Sequence, residues 1–348
     1  MRDELRLVFW ELTARCNLSC MHCRAEAQSE AVAGELTTRE ILDVARAIRD
    51  CADPIVVLTG GEPLVRKDVF EIASACSGLF SRVALATNGT LVDDAMAGKI
   101  KDCGISRASI SLDGATAATH DAFRGLDGSY RDALRGLDAM RAAGLSVQVN
   151  ATVAKHNRKE VPEILDLALK RGADAFHVFA LVPVGCGAEI SDRMRISNAE
   201  MEDLLKWLFL KSMELKGRIH IKATCAPQYY RIMRQVAQEK KIEVRGETHG
   251  MQAMTRGCLA GSAVCFISRT GDVQPCGYLP VRAGNVRDTA FGKIWESSDA
   301  FAALRDTERL KGKCGACGFR NVCEGCRARA FAATSDYLAE DPDCAYVP

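Results

Sequence analysis

Cys16-Asn17-Leu18-Ser19-Cys20-Met21-His22-Cys23 is the stretch on which the fold turns. It follows an apolar run, Leu5 to Leu12, that reads as a strand, and it sets three cysteines on one short loop at x3 and x2 spacing. Three thiolates so placed can hold three irons of a four-iron, four-sulfur cluster and leave the fourth iron without a protein ligand. A structural zinc site is the competing reading. Zinc wants four closed ligands, and His22, directly beside Cys23, would reach the same metal only with strain. An open iron needs a housing, and the chain beyond the loop has the pattern of one.

From Arg6 to about Lys216 one unit recurs: a short β-rich apolar run, a polar loop, then a stretch with helical period. Such alternation implies a parallel sheet. The candidate strands are Leu5 to Leu12, Ile55 to Leu58, Val83 to Ala86, Ala108 to Leu112, Val147 to Ala151 and Phe176 to Ala180. Between them, Thr37 and Glu40 form a capping box ahead of Ile41, Ala45 and Ile48, which share one helical face. A second helix starts near Tyr130 and buries Leu134, Leu137 and Met140. Gly104, Gly144 and Gly172 each stand after a helix and before a strand, where a left-handed C-cap favours glycine. The fold class is α/β, a (β/α)6 partial barrel, with an open doubly wound sheet as the alternative. Residues 1–216 form this core, 217–250 a linker that contacts substrate, and 251–348 a cysteine-rich extension. The polar oddities gather at the strands' carboxyl ends: the cysteine loop, Thr59-Gly60-Gly61-Glu62-Pro63, Thr87-Asn88-Gly89-Thr90, Ser111-Leu112-Asp113-Gly114, Asn150 and His177. In parallel β/α barrels that rim carries the active site.

The cysteine loop resembles the signature of the radical S-adenosylmethionine superfamily, C-x3-C-x-aromatic-C, with His22 in the aromatic place. The resemblance implies a (β/α)6 partial TIM barrel in which Cys16, Cys20 and Cys23 hold a [4Fe-4S] cluster. Its open iron would bind the methionine end of S-adenosylmethionine, and an electron would release a 5'-deoxyadenosyl radical. It further assigns Gly60, Gly61, Glu62 and Pro63 to the methionine amino group. Ser111, Asp113 and Asn150 are candidates for the ribose hydroxyls and carboxylate, Arg124 for the carboxylate, and Asn88 for a further contact. His22 is expected to lay its ring face on the adenine. His156 and His220 read as ordinary surface or strand residues.

Beyond Lys216 come Cys258-x6-Cys265, Gly271-x4-Cys276, Cys314-x2-Cys317-x5-Cys323-x2-Cys326 and Cys344. Eight cysteines suffice for two fully held four-iron clusters, although the run from Cys314 to Cys326 also fits a zinc ribbon. The arrangement resembles the SPASM extension of a subset of these radical enzymes. That resemblance gives Cys258, Cys265, Cys276 and Cys326 to a nearer auxiliary cluster and Cys314, Cys317, Cys323 and Cys344 to an outer one. The Cys323-to-Cys326 spacing is one residue shorter than in many members. Cys51, Cys76, Cys103, Cys186 and Cys225 have no partner pattern and read as small buried apolar residues.

Composition sets the remaining bounds. With 46 basic and 45 acidic residues in 348 there is no field to attract nucleic acid or a membrane surface, so an anionic ligand must be met by local arginines. No early apolar run has the flanks of a signal peptide, so a cytoplasmic location is expected, and the sixteen cysteines point to metal clusters over disulfides. Three further stretches, Cys23 to Ala27, Thr224 to Arg231 and His249 to Cys258, resemble the heme-forming branch of the superfamily. Its members oxidatively decarboxylate two propionates of Fe-coproporphyrin III to vinyl groups. That implies a tetrapyrrole substrate and a reducing donor such as flavodoxin or ferredoxin. Tyr229, Tyr230, Arg231, Arg234, His249 and Arg256 are the expected porphyrin contacts, through aromatic faces and bidentate guanidinium pairing. The rival readings are a SPASM enzyme acting on another tetrapyrrole or on a peptide and, outside enzymes, an iron-sulfur electron carrier.

Overall fold

The six expected strands form, each within two residues of its expected bounds, in a computed structural model that describes residues 4–243 and 256–348. They are β1 (Leu7–Glu11), β2 (Ile55–Thr59), β3 (Val83–Thr87), β4 (Arg107–Ser111), β5 (Ser146–Val153) and β6 (Ala175–Ala180), each parallel to the next. The helix punctuation is also as expected. Thr37 and Glu40 make the reciprocal capping box, and Gly104, Gly144 and Gly172 sit at φ 85, 78 and 71°. One face of every strand packs on the helices, through Val8, Trp10, Val56, Leu85, Ile110, Val149 and Val178. The opposite face of β4 to β6 carries Arg107, Ser109, Ser111, Gln148, Asn150 and His177. A doubly wound sheet would bury both faces under helices. The polar second face is what a partial barrel turns inward.

The sheet is longer than the sequence pattern predicts. β7 (His220–Thr224) adds in parallel to β6, and β8 (Val264–Ile267) adds in parallel to β1 on the other side. β9 (Asp272–Gln274) and β10 (Gly284–Asn285) continue antiparallel, giving ten strands in all among the described residues. β7 escapes a search for apolar runs because His220-Ile221-Lys222-Ala223-Thr224 alternates, with only Ile221 and Ala223 in the core. β8 ties the cysteine-rich extension to the core. Its residues continue the barrel sheet, with Cys265 beside Val8 and Phe266 beside Phe9.

Candidate active site

The cysteine loop is held by main-chain bonds to three other parts of the fold. Cys16 N–H donates to the Gln28 carbonyl (2.8 Å), Met21 N–H to Phe123 (3.0 Å), and Cys186 N–H to the Cys23 carbonyl (3.0 Å). Gly60-Gly61 does part of this fastening. Gly61 N–H donates to the Thr13 carbonyl (2.7 Å) and Glu62 N–H to the Arg15 carbonyl (2.8 Å). A Cβ on Gly61 would stand 2.5 Å from the Arg15 carbonyl oxygen and 2.6 Å from that of Ala14. The close approach these glycines permit is therefore to the chain's own loop, where a ligand was expected. Pro63 follows as the first residue of a short 3-10 turn, Pro63–Val65.

Each sulfur of the loop has a donor. Leu18 N–H lies 3.4 Å and Asn88 Nδ2 3.9 Å from Cys16 Sγ, Arg124 Nη1 lies 3.7 Å from Cys20 Sγ, and Ala27 N–H lies 3.4 Å from Cys23 Sγ. Burial pushes the Cys16 thiol up to about 12 and raises that of Cys20, so the thiolates a cluster needs form only against a metal's charge. Among the described residues no three His, Cys, Asp or Glu side chains converge on one ion. In a four-iron cube each thiolate holds its own iron, so the ligands do not share one point. The spacing, the donors and the buried cation beside Cys20 all fit such a cluster.

Around the loop lies a buried polar shell. The Glu62 carboxylate, inaccessible to solvent, accepts from Leu64 N–H (3.1 Å), Thr87 Oγ1 (2.8 Å) and Asn88 N–H (2.7 Å). Three of its four lone-pair positions are thus used within the chain, and one on Oε2 is left. Burial pushes its pKa up to about 7. The Asn88 side chain, expected at the ligand, bonds Asn17 Oδ1 (2.8 Å) and Thr90 (2.7 Å) and so supports the loop instead. Arg124 is likewise engaged within the chain. Its guanidinium pairs with Asp113 Oδ2 at 2.6 Å and with Cys20, because a fully buried cation is stable only beside a buried anion. Asp113 also accepts from Thr152 N–H (2.7 Å) and is held below the usual carboxylate range by Arg124, against its burial. His22 stacks on Phe123 (4.1 Å, 9° between planes), which covers one ring face, and burial lowers its pKa to about 3. Its ring is neutral.

Ser111 and Asn150 are brought together with two residues the sequence did not single out as contacts. The register aligns Ser111 with Asn150, Asn150 with His177 and His177 with Lys222. The four form one row across the strands, on the face away from the helices. Among the described residues His177 Nε2 is buried without a hydrogen-bond partner. Lys222 becomes visible in the sequence only once β7 is recognised.

The extension brings its thiols together differently from the expected grouping. Cys314, Cys317, Cys323 and Cys344 line one cavity, together with Arg231, Phe319 and Tyr346. Asp341 N–H (3.3 Å) and Arg327 Nη2 (3.6 Å) point at Cys314 Sγ, and Phe319 N–H (3.4 Å) at Cys317 Sγ. In the nearer group Cys276 and Cys326 pack in one small apolar cluster, but the thiol that joins them there is Cys225. Cys265 points with Val8 into the core under the helices. Of the other unassigned thiols, Cys76 and Cys103 are buried as expected, Cys186 is half-buried, and Cys51 is exposed.

The expected porphyrin contacts do not assemble. Tyr229 and Tyr230 are in the main core, edge to face at 5.8 Å, and Arg231 is buried in an ion pair with Glu202 beside the outer thiols. The helix Gln228–Glu239 is packed on both sides, by the helix Asn198–Glu214 and by the segment at Cys323. Tyr229, Tyr230 and Arg231 are therefore interior. Arg234 is exposed, Arg256 pairs with Glu324 (3.0 Å), and His249 lies outside the described residues. A residue the sequence reading missed is Arg24, which lies over the Phe266 ring (4.5 Å) and donates to the Gly277 carbonyl (3.3 Å), joining the cysteine loop to the extension.

Comparison with known proteins places this geometry. Residues 10–168 match the Radical SAM superfamily and residues 258–318 match SPASM, described as an iron-sulfur cluster-binding domain. The chain is 49% identical to the AdoMet-dependent heme synthase of Methanosarcina barkeri, over all of this chain and 98% of that one. It is 46% identical to the AdoMet-dependent heme synthase of Nitratidesulfovibrio vulgaris, over 99% and 93% of the two chains. In fold it matches SuiB of Streptococcus suis bound to S-adenosylmethionine, with a TM-score of 0.77 at 17% identity over 99% and 78% of the chains. The chain belongs to the radical S-adenosylmethionine superfamily with a SPASM extension and, within it, to the family of the AdoMet-dependent heme synthases.

Proposed function

We propose that this chain converts Fe-coproporphyrin III to heme b by oxidatively decarboxylating two propionates to vinyl groups. The observation that carries the reading is end-to-end similarity at 49% identity to an AdoMet-dependent heme synthase, joined to a cysteine loop whose three sulfurs each have a donor. When bound, the clusters supply one-electron chemistry: reductive cleavage of S-adenosylmethionine at the open iron and uptake of the surplus electron by the extension. At each propionate a hydrogen atom leaves the carbon beside the ring, the carboxylate leaves as carbon dioxide, and one electron remains to be accepted.

In this reading Cys16, Cys20 and Cys23 hold the cleaving cluster, and Leu18 N–H, Arg124 and Ala27 N–H stabilise their negative charge. Asp113 fixes Arg124 and cancels its charge. The unused lone pair of Glu62 is available to an ammonium proton of the methionine end. Gly60, Gly61, Pro63 and Asn88 act by shaping the loop and the strand ends. The row Ser111, Asn150, His177 and Lys222 offers donors and acceptors to ribose hydroxyls and carboxylates. His22, neutral down to about 3, serves as an apolar surface and not as an acid or base. Among the described residues no helix is long and apolar enough to cross a membrane. A cytoplasmic location and a flavodoxin or ferredoxin donor belong to the same proposal.

The test is the anaerobic reaction of reconstituted protein with S-adenosylmethionine, a reductant and Fe-coproporphyrin III. Two successive losses of carbon dioxide and two hydrogens are expected in the mass spectrum, with 5'-deoxyadenosine formed in step. Deoxyadenosine without a porphyrin mass change would move the substrate to another tetrapyrrole or a peptide. Absence of both would favour an electron carrier.

A further inference from the structure

Cys225 is the first residue after β7, so it stands at the strand end where the other parallel strands carry their polar groups. It is a non-glycine residue held at φ 56°, a conformation retained only where the surroundings fix it. What fixes it is the extension. The Arg329 guanidinium donates to the Cys225 carbonyl while its other nitrogens bond Asp341 (3.0 and 2.8 Å). Side by side in one small apolar group with Val182, Leu279 and Ala328 lie Cys225, Cys276 and Cys326.

Cys258 reaches the same place by backbone contacts. Gly257 N–H donates to the Val322 carbonyl (2.7 Å), and Cys258 N–H to that of Cys323 (3.2 Å). A Cβ on Gly257 would meet Pro227, two residues after Cys225, at 2.7 Å. Cys265 lies apart from this group, because its strand register turns it to the helix-covered face.

We propose that Cys225, and not Cys265, is the fourth thiolate of the nearer auxiliary cluster, completing a set with Cys258, Cys276 and Cys326. Every iron of that cluster is then held by the protein. Such a cluster has no position on which a substrate carboxylate could sit, so it serves as an electron acceptor at a distance. This deepens the proposed function by assigning a role to one cluster, and it rests on that reading only for the presence of a cluster. On transfer of a preformed thiolate-ligated cluster each of the four thiols displaces one external thiolate from its iron and passes its proton to the leaving thiolate, so four sulfur–iron bonds form as four break, with no change of oxidation state.

The experiment uses the full chain carrying Cys16, Cys20 and Cys23 to Ala, so that iron and spectra come from the extension alone. After anaerobic reconstitution, about eight irons per chain are expected from two four-iron clusters. Adding Cys225→Ala should remove about half of that iron or convert one cluster to a three-iron form by electron paramagnetic resonance. Adding Cys265→Ala should leave iron content and spectrum as in the parent. Cys225→Ser, which keeps an oxygen ligand, should retain iron with shifted g values and so covers failure of the alanine variant to fold. Unchanged iron and spectra in both Cys225 variants, or loss of a cluster on Cys265→Ala, overturns the assignment. Porphyrin turnover is not read, so failure here is separable from failure of the substrate reading.

Discussion

The two thiol-bearing regions solve one problem by different routes. At the barrel rim all three thiols lie within eight consecutive residues, and a buried Arg124–Asp113 pair stands beside Cys20. In the extension the thiols come from distant segments, and a second buried pair, Arg329–Asp341, stands between the two groups, with Asp341 Oδ2 accepting from Cys326 N–H (2.7 Å) and Asp341 N–H pointing at Cys314. In both places an arginine offsets charge that thiolates bring into a dry interior, and an aspartate keeps that arginine paired when no metal is there. The difference is in what spacing means. A local loop fixes its ligands by itself, whereas a site assembled from separate segments takes whichever thiol the fold delivers.

The largest expected effect separates the regions outright. Changing Cys16, Cys20 and Cys23 to Ala should abolish 5'-deoxyadenosine formation while leaving the absorbance of the auxiliary clusters; retained cleavage would refute the division of labour. Next come the two aspartates. Asp113→Asn and Asp341→Asn each leave a buried guanidinium without its anion and should each cost about 3–5 kcal/mol in denaturant unfolding. Asp113→Asn should lower deoxyadenosine formation at unchanged auxiliary iron, and Asp341→Asn should lower auxiliary iron. The reverse pattern would break the comparison.

A smaller loss is expected at the fastening between β2 and the cysteine loop. Gly61→Ala pushes a methyl against two carbonyl oxygens at 2.5 and 2.6 Å and should destabilise by about 1–3 kcal/mol. Deoxyadenosine formation should fall with it. Normal stability together with normal cleavage would mean that the loop tolerates displacement.

A pH slope confined to the barrel side is the last expected difference. Burial, reinforced by Arg124, lowers His120 from its ordinary 6.5 to about 4, and its Nδ1 accepts from Asp113 N–H (3.1 Å). Between those values the unfolded chain binds the extra proton, so stability rises with pH there. The contribution is complete above 6.5 and is lost as pH falls toward about 4, at about 1.4 kcal/mol per pH unit. His120→Gln should therefore lie furthest below the parent at pH 8 and approach it at lower pH. Parallel curves would show that His120 does not report on the Asp113 network.

Much of the barrel was legible because its information is local. Apolar runs marked β1 to β6, glycines after helices marked the stops, and x3 and x2 spacing marked the cysteine loop, since each depends on residues a few positions apart. β7 was not legible because an alternating strand that buries one face resembles a polar segment until its neighbour is known. With β7 unseen, Lys222 and Cys225 could not be placed at a strand end. The intrachain partners of Asn88 and Arg124 were not legible for a related reason: residue type announces a polar group at the rim, but only packing shows that Asn88 supports Asn17 and that Arg124 faces Asp113.

By itself, then, the amino-acid sequence determined the parallel α/β core, the three-thiol loop and the set of thiols in the extension. Each follows from short-range geometry or from the count of groups present. Only the tertiary structure decided that Tyr229, Tyr230 and Arg231 are interior, that Gly61 meets its own loop, and that Cys225 packs with Cys276 and Cys326 while Cys265 faces the core. Strand register turns alternate side chains to opposite faces, and a partner far along the chain settles which face holds a ligand.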